Sequence, residues 1–325
     1  MSLLSRRQMK AVVFHSLSLA QGERVLRALA ARASATILNF HRISPKHNPA
    51  YPPLDPNTFS DLLDYLKRDF AIVTLEELRQ APPKRPAIVL SFDDGYLDFI
   101  EYAVPTLKRH GLRANQNLIA SCVETGVPPW NIRMYDFLAS APLSLLKELD
   151  IPGFLPRLQS DSDDARGRYA LALSRHLKFR PAQERRLFLE FLEPFYARYS
   201  PPETTRMMSA DDARSISDTH EIGCHSWSHE SMGLEDDAFF RTDLARAKEM
   251  FSRHGLPWGI YAFPNGSYRA SHLPILAASG VHTTLLVDEK RAKARSGVLP
   301  RLTMSGGSLQ ETRFQALGYH ARGVA

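Results

Sequence analysis

Two aspartates stand side by side at the end of an apolar run, in the segment LSFDDGY at residues 90–96. Successive side chains of a strand point to opposite faces, so Asp93 and Asp94 can serve one centre only if the strand ends there and the backbone turns. Gly95 permits such a turn. Burying two adjacent carboxylates is costly unless a cation or a proton separates their roles. The pair therefore predicts a cation site completed by residues from elsewhere in the chain.

The segment GCHSWSHE, residues 223–230, could complete that site, because His225 and His229 stand four positions apart. On a helical turn this spacing puts both imidazoles on one side, a usual geometry for a divalent metal. The zinc-protease motif needs a glutamate directly after the first histidine, whereas Glu230 follows the second, which disfavours that class. Taken alone, the histidines could be surface residues and Asp94 a helix cap. Their occurrence together favours a metal site.

The rest of the chain alternates short apolar runs with helical patterns. Runs that are β-branched or aromatic and bounded by proline, glycine or charge predict strands at residues 35–40, 70–75, 87–92, 115–120, 221–226, 258–263 and 282–287. Helical spacing is found at residues 58–69, 102–110, 211–217 and 236–254. Repetition of strand then helix predicts an α/β fold with a largely parallel sheet, namely a (β/α) barrel that is distorted or only partly closed. Chemistry in such folds lies at the carboxyl ends of the strands, where both segments fall.

Two regions depart from that alternation. Residues 131–207 carry charged segments with helical spacing, which predicts a helical insertion that packs as a lid more than it takes part in catalysis. Residues 1–33 predict an N-terminal helical extension with Val25, Leu26 and Leu29 on one face. Contact of this extension with a membrane surface is the less favoured alternative.

The composition of the chain limits its possible cellular locations and binding partners. The chain has 325 residues, 44% of them hydrophobic, and a net charge of +6 from 41 basic and 35 acidic residues. The basic residues are scattered, which predicts a solvated surface and no nucleic-acid partner. Cys122 and Cys224 are too far apart for a disulfide framework or a CxxC site. With no apolar run long enough for a membrane span and no convincing signal peptide, we expect a cytoplasmic location, with peripheral contact to the inner membrane as an alternative.

Three segments together carry a family resemblance. SFDDGY, HSWSH and YAFPNGSY, the last at residues 261–268, resemble the motifs of the polysaccharide deacetylases, the NodB-homology group called carbohydrate esterase family four. The resemblance extends more loosely from about Ile37 to Leu302, outside the helical insertion, and implies one deacetylase-like domain over residues 34–325. It implies a metal-dependent hydrolase that removes an N-acetyl group from an N-acetylated sugar in a polysaccharide or glycolipid precursor.

The resemblance also assigns roles to the residues of the first two motifs. Asp94, His225 and His229 would hold one divalent ion, which we expect to be zinc, with cobalt, nickel or manganese as alternatives. Asp93 would be the base that accepts the proton of the attacking water.

Three further residues are predicted to bind the substrate. Asn265 stands beside a backbone N–H that would face the negative charge developing on the acetamide oxygen. Tyr96 and Trp227 lie next to the two motifs and could line a sugar site. A core position is the alternative for Trp227 and also for Trp130.

The chain departs from the family pattern in two places. Ala262 stands where many members have an arginine that orients the catalytic base, and Arg301 in VLPRL is the candidate substitute, with a surface or structural arginine as the alternative. The Leu-x-His motif near the C-terminus, the usual source of the general acid, is missing. The first predicted strand ends in ILNFH and resembles that final strand moved to the front, as in circularly permuted members. We therefore predict His41 as the acid, ahead of His282 and His320.

Two other functions stay open at this point. One is a carbon–nitrogen hydrolase on the same fold that acts on a cyclic or linear amide other than a sugar. The other is a catalytically inactive carbohydrate-binding descendant, which Ala262 and the missing motif would allow. Asp93 argues against the second, because a binding protein has no need of a second carboxylate beside a metal ligand. The leading prediction is an enzyme of cell-envelope polysaccharide biosynthesis.

Overall fold

A computed structural model of the chain describes residues 22–32, 35–81 and 83–322. Its centre is one sheet of nine strands. Every pairing in this sheet is parallel. The strands are β1 (Ala35–Phe40), β2 (Ala71–Ile72), β3 (Ala87–Phe92), β4 (Asn115–Leu118), β5 (Glu221–Cys224), β6 (Ile260–Ala262), β7 (Thr283–Leu286), β8 (Val298–Pro300) and β9 (Leu302–Thr303).

Helices follow most of the strands, as a (β/α) arrangement requires. A π-helical turn at Phe99–Ala103 leads directly into the α-helix Val104–His110. The α-helices are α1 (Gly22–Arg32), α2 (Pro56–Asp69), α3 (Leu75–Gln80), α4 (Val104–His110), α5 (Ala120–Thr125), α6 (Trp130–Ser140), α7 (Leu143–Lys147), α8 (Asp163–Lys178), α9 (Ala182–Arg198), α10 (Ala210–Ser217), α11 (Asp237–Arg253), α12 (His272–Ala278) and α13 (Leu309–Ala316).

The strand order draws the sheet into a barrel. It runs β8–β7–β6–β5–β4–β3–β1–β9, with β2 pairing with β3 off this path. Only Arg301 separates β8 from β9, yet β8 pairs with β7 and β9 pairs with β1. One short segment thus joins the two edges of the sheet. The predicted α/β fold with a distorted (β/α) barrel is confirmed.

The neighbouring strands β1 and β3 are fixed by aromatic packing. Every residue of β1 and β3 is buried, and Phe40 lies opposite Phe92 at the carboxyl ends of the pair. The two rings stack with their centroids 5.1 Å apart. Burying a phenylalanine side chain contributes about 1.5–3 kcal/mol. This packing therefore holds the strand ends from which His41 and Asp93 follow.

Helices α6 to α9 form the helical part of the predicted insertion and pack around a second hydrophobic cluster, which also includes Ile119 and Cys122 from the barrel part of the chain. Phe137, Leu173 and Leu177 are buried within it. The ring of Tyr196 meets that of Phe137 edge-on at 5.0 Å. Because this cluster includes side chains from both parts of the chain, it joins the insertion to the barrel.

The second predicted strand is shorter than expected. Residues 70–75 were predicted as one strand, but only Ala71–Ile72 pairs with β3, and α3 already begins at Leu75. Thr74 accepts the N–H of Glu77, and the Glu77 side chain accepts the N–H of Thr74. This capping box stabilises the start of a helix within what reads as an apolar run.

The N-terminal helix differs from its predicted pattern. Of the predicted extension, α1 lies within the described residues, whereas residues 1–21 and 33 lie outside them. Leu26 packs against the barrel core and Ala30 is buried, whereas Val25 and Leu29 are 61% and 43% exposed. The buried side of this helix is therefore formed by Leu26 and Ala30, and Val25 and Leu29 lie outside it. Across the described ranges, the helices are all too short or too polar to cross a membrane.

Candidate active site

The backbone turns directly after β3. The strand ends at Phe92, and Asp94 and Gly95 both take left-handed conformations with φ of +78° and +80°. Such a conformation is uncommon for a residue other than glycine. A Cβ at Gly95 would lie 3.0 Å from the Leu118 side chain. The turn lets Asp93 and Asp94 meet different partners although both are buried.

Asp93 is held by a buried guanidinium. Arg301 donates from Nη1 to Oδ1 at 2.8 Å and from Nη2 to Oδ2 at 2.7 Å, and Asn117 donates from Nδ2 to Oδ1 at 2.8 Å. The exposed fractions of Asp93 and Arg301 are 1% and 0%. Burial alone would raise the pKa of Asp93, but Arg301 and then His225 hold it well below its usual range. The carboxylate is therefore ionised. Its charged partner is Arg301, since Ala262, at the position where many family members have an arginine, carries no charge.

Replacing Arg301 should destabilise the barrel. Arg301→Met leaves the Asp93 carboxylate buried without a charged partner, so we expect a loss of about 3–5 kcal/mol in the free energy of unfolding, measured in urea. Adding Asp93→Asn should restore part of that loss. Arg253→Met, which breaks the exposed pair with Glu124, is the control and should change little. A loss for Arg301→Met no larger than that of the control would show that the buried pair does not stabilise the fold.

Asp94, His225 and His229 form a compact group of potential metal ligands. One ligand atom from each lies within 4.8 Å of the others, and all three residues are buried. Asp94 Oδ1 is 3.4 Å from His225 Nε2 and 3.3 Å from His229 Nε2. This oxygen is buried and accepts no hydrogen bond. A buried carboxylate oxygen without a donor, facing two imidazole nitrogens, fits a divalent cation.

The surrounding contacts orient these ligand atoms. His225 donates from Nδ1 to the Ala262 carbonyl at 2.9 Å, since a carbonyl can only accept, and this leaves the Nε2 lone pair facing Asp94. Burial lowers the pKa of His225 to about 4, so the ring is neutral near pH 7. The Tyr96 hydroxyl donates to Asp94 Oδ2 at 2.7 Å. Second contacts of this kind are typical of metal sites.

The two histidines converge without a helix. His225 directly follows β5, and the turn to His229 includes left-handed residues, with φ of +65° at Ser226 and +57° at His229. The helical turn predicted from the four-residue spacing is therefore wrong, although the ring centroids lie 5.1 Å apart. Asp243 of α11 holds the loop by accepting the N–H groups of Trp227 at 2.8 Å and of the next residue at 3.0 Å.

A cavity of about 480 Å³ opens over these groups at the carboxyl ends of the strands. The barrel contributes Asn39, Phe40, His41, Arg42, Asp93, Asp94, His225, His229, Asn265 and Val287 to its wall. The helical insertion contributes Trp130, Asn131, Tyr135, Leu171, Ser174, Lys178 and Arg185. The insertion is therefore one wall of the cavity.

Besides Asp93, two of the predicted residues outside the metal group line this cavity. His41 follows β1, and its ring meets Tyr51 edge-on at 5.9 Å. Asn265 has a φ of +58° and donates from Nδ2 to Ser231 Oγ at 3.1 Å. Both side chains are thus placed where a substrate in the cavity could reach them.

Other predicted residues lie away from the cavity wall. Tyr96 was predicted to bind substrate. It is instead 1% exposed and lies behind Asp94, where it orients a ligand atom. The Trp227 ring packs under Arg246, whose guanidinium carbon is 4.2 Å from the ring centroid. His282 precedes β7 at the opposite end of the strand, and His320 pairs with Glu289 at 2.8 Å.

Sequence reasoning missed Asn117, which helps to fix Asp93. Its signal was the strand Asn115–Leu118, in which three consecutive amide side chains are fully buried. Consecutive buried amides are unusual in a strand and must be satisfied by hydrogen bonds. Ser91 receives one of those bonds from Asn117 at 3.2 Å and another from Arg301 at 3.0 Å.

The comparisons agree with the family resemblance. Residues 193–306 match the family model described as polysaccharide deacetylase, a range that contains His225, His229 and Arg301 and does not include the two aspartates. This match agrees with the resemblance over that part of the chain. No curated protein matches the chain.

Several solved structures share the fold. The deacetylase PplD of Streptococcus pyogenes, in complex with acetate, is 16% identical with a TM-score of 0.55, covering 87% of this chain and 97% of that one. IcaB from Ammonifex degensii is 16% identical with a TM-score of 0.54, covering 88% and 98%. BC0361, a polysaccharide deacetylase from Bacillus cereus, is 11% identical with a TM-score of 0.52, covering 87% and 68%. At these identities the likeness is one of fold.

Proposed function

We propose that this chain, which matches the polysaccharide deacetylase family over residues 193–306, is a metal-dependent hydrolase that removes an N-acetyl group from an N-acetylated sugar. One observation carries the proposal. An ionised carboxylate, Asp93, is fixed by Arg301 beside the Asp94, His225 and His229 group, at the base of a cavity. A base next to three potential metal ligands is the arrangement that hydrolysis of an unactivated amide needs.

Zinc is the ion we propose for this site. Two imidazole nitrogens and one carboxylate oxygen are a ligand set that zinc accepts in catalytic sites with an open position, and cobalt, nickel or manganese fit the same donors. When bound, such an ion supplies a Lewis acid and lowers the pKa of a coordinated water. The protein contributes Asp94, His225 and His229 to hold it.

The other site residues would handle protons and charge. Asp93 accepts a proton from the attacking water, while its bonds to Arg301 and Asn117 keep the carboxylate in one orientation. A backbone N–H near Asn265 faces the acetamide oxygen as it becomes negative. His41, from the end of β1, gives a proton to the leaving amine. Its position supports the circularly permuted arrangement, in which the first strand carries the acid.

His41 should matter more for amides than for esters. His41→Ala should keep its metal and slow amide cleavage by about 10²-fold or more, since an amine leaves poorly without a proton. Cleavage of an activated acetate ester should slow much less, because its leaving group needs less protonation. Parallel rates of acetate release from both substrates provide the measurement. An equal loss on the two substrates would remove His41 from the acid role.

Acetate release from N-acetylglucosamine oligomers by the zinc-loaded protein tests the function itself. Acetate and a free amine in equal amounts would support the deacetylase. Turnover of an amide such as allantoin, with no release of acetate from sugars, would favour a different carbon–nitrogen hydrolase. No turnover of any amide, together with binding of the oligomers, would favour an inactive carbohydrate-binding protein.

The proposed role lies in cell-envelope polysaccharide biosynthesis, on a polymer or a lipid-linked precursor. The proposed location is the cytoplasm, with peripheral contact to the inner membrane. A net charge of +6 is what supports that contact, since anionic lipid attracts basic surfaces. Fractionation of cells would test it, and recovery of the protein from outside the cytoplasm would oppose it.

A further inference from the structure

Lys178 lines the cavity but has no part in the proposed chemistry. It is the last residue of α8, in the helical insertion, and its side chain is half-buried. Its carbonyl is 3.5 Å from Ser231 Oγ, the same hydroxyl that accepts a bond from Asn265. Lys178 therefore lies beside the end of the loop that carries His225 and His229.

The other charged side chains of the cavity wall are paired. Asp93 is bound by Arg301, Arg42 donates to Asp98 at 2.7 Å, and Arg185 pairs with Glu230. Asp94 faces the two imidazoles of the metal group. By contrast, the Lys178 ammonium makes no hydrogen bond or ion pair with any residue in the described ranges.

An unpaired ammonium in this position has an energetic cost. Burial lowers the pKa of Lys178, and only the Asp94 carboxylate opposes that effect. Asp94 is committed to the metal group, so it cannot also neutralise the lysine. With a divalent ion in place, the cavity would carry excess positive charge, and an anion from the substrate is the partner that would compensate it.

We propose that Lys178 binds an anionic group, a phosphate or a carboxylate, that the N-acetylated sugar carries near its acetamide. The inference rests on the proposed function, because it takes the cavity over Asp94, His225 and His229 to be the substrate site. Trp130 and Tyr135 lie on the same insertion wall and supply apolar surface for the sugar ring. The insertion would then select charged sugars, such as phosphate-linked precursors or acidic sugar units, over neutral ones.

Steady-state rates with matched substrates test this proposal. The substrates are N-acetylglucosamine as its neutral oligomers, N-acetylglucosamine 1-phosphate, and N-acetylmuramic acid for the carboxylate. Lys178→Met should raise KM for whichever anionic sugar is the better substrate by about 10- to 100-fold, as expected for one charge-assisted hydrogen bond, and leave kcat and the neutral oligomers little changed. Lys178→Arg should retain the preference. Lys147→Met, an exposed lysine of the same insertion, is the control and should behave as wild type.

Two results would overturn the proposal. One is an equal loss on neutral and anionic sugars, which would place Lys178 in folding or in the chemical step. The other is an unchanged KM for both anionic sugars. If the wild type releases no acetate from any sugar, the proposed function fails. Calorimetry with glucosamine 1-phosphate and glucosamine then tests separately whether Lys178 binds an anionic group. Weaker binding of glucosamine 1-phosphate by Lys178→Met, with unchanged binding of glucosamine, supports the proposal. Equal binding of glucosamine 1-phosphate by the wild type and the variant contradicts it.

Discussion

Asp93→Asn should lower kcat for acetate release by at least about 10²-fold while the metal stays bound. Asparagine keeps the shape of the side chain and loses the charge that accepts the proton of the attacking water. It also leaves Arg301 buried with a weaker partner, so some loss of stability is expected. The rate must therefore be measured well below the unfolding midpoint of the variant, with metal content determined on the same sample.

The matched control is Asp98→Asn. Asp98 is also a buried carboxylate in an arginine pair, with Arg42 at 2.7 Å, but it does not line the cavity. It should reproduce the loss of stability without a comparable loss of kcat. Near-normal turnover by Asp93→Asn with full metal occupancy would show that another group is the base.

Replacing both histidines should remove the response to zinc. In the wild type, free zinc at about 100 times its Kd should stabilise the protein by about 2.7 kcal/mol and raise the thermal midpoint by several degrees. His225→Ala combined with His229→Ala leaves Asp94 as the only ligand of the group, so the midpoint should not move on addition of zinc. Acetate release should fall to background.

His282→Ala serves as the control for the double variant. It removes an imidazole at the opposite end of the barrel strands and should keep both the zinc response and the activity. A zinc-dependent rise in midpoint that survives in the double variant would place the metal elsewhere in the chain.

The sequence could predict the metal group because its signals are local. Adjacent aspartates after an apolar run, with Gly95 next, show where a strand ends, and parallel strands bring their carboxyl ends to one edge. His225 and His229 also follow a strand directly. The four-residue spacing correctly predicted that the two imidazoles converge, but for the wrong reason. Left-handed loop residues bring them together, and a helix does not.

Long-range packing decided what the sequence could not settle. Arg301 and Asp93 are 208 positions apart and meet only because the β8–β9 segment joins the two edges of the sheet. The direction of Tyr96 depends on a turn that sends its hydroxyl to Asp94, away from the cavity. The insertion wall that includes Lys178 depends on how α8 lies over the barrel, which helical periodicity does not specify.

Metal content, measured by mass spectrometry after zinc loading and dialysis, tests most directly whether Asp94, His225 and His229 form the catalytic metal centre. The wild type should retain about one ion per chain, and the variant with His225→Ala and His229→Ala should retain none. No ion in either protein, or an equal content in both, would contradict the account of this site.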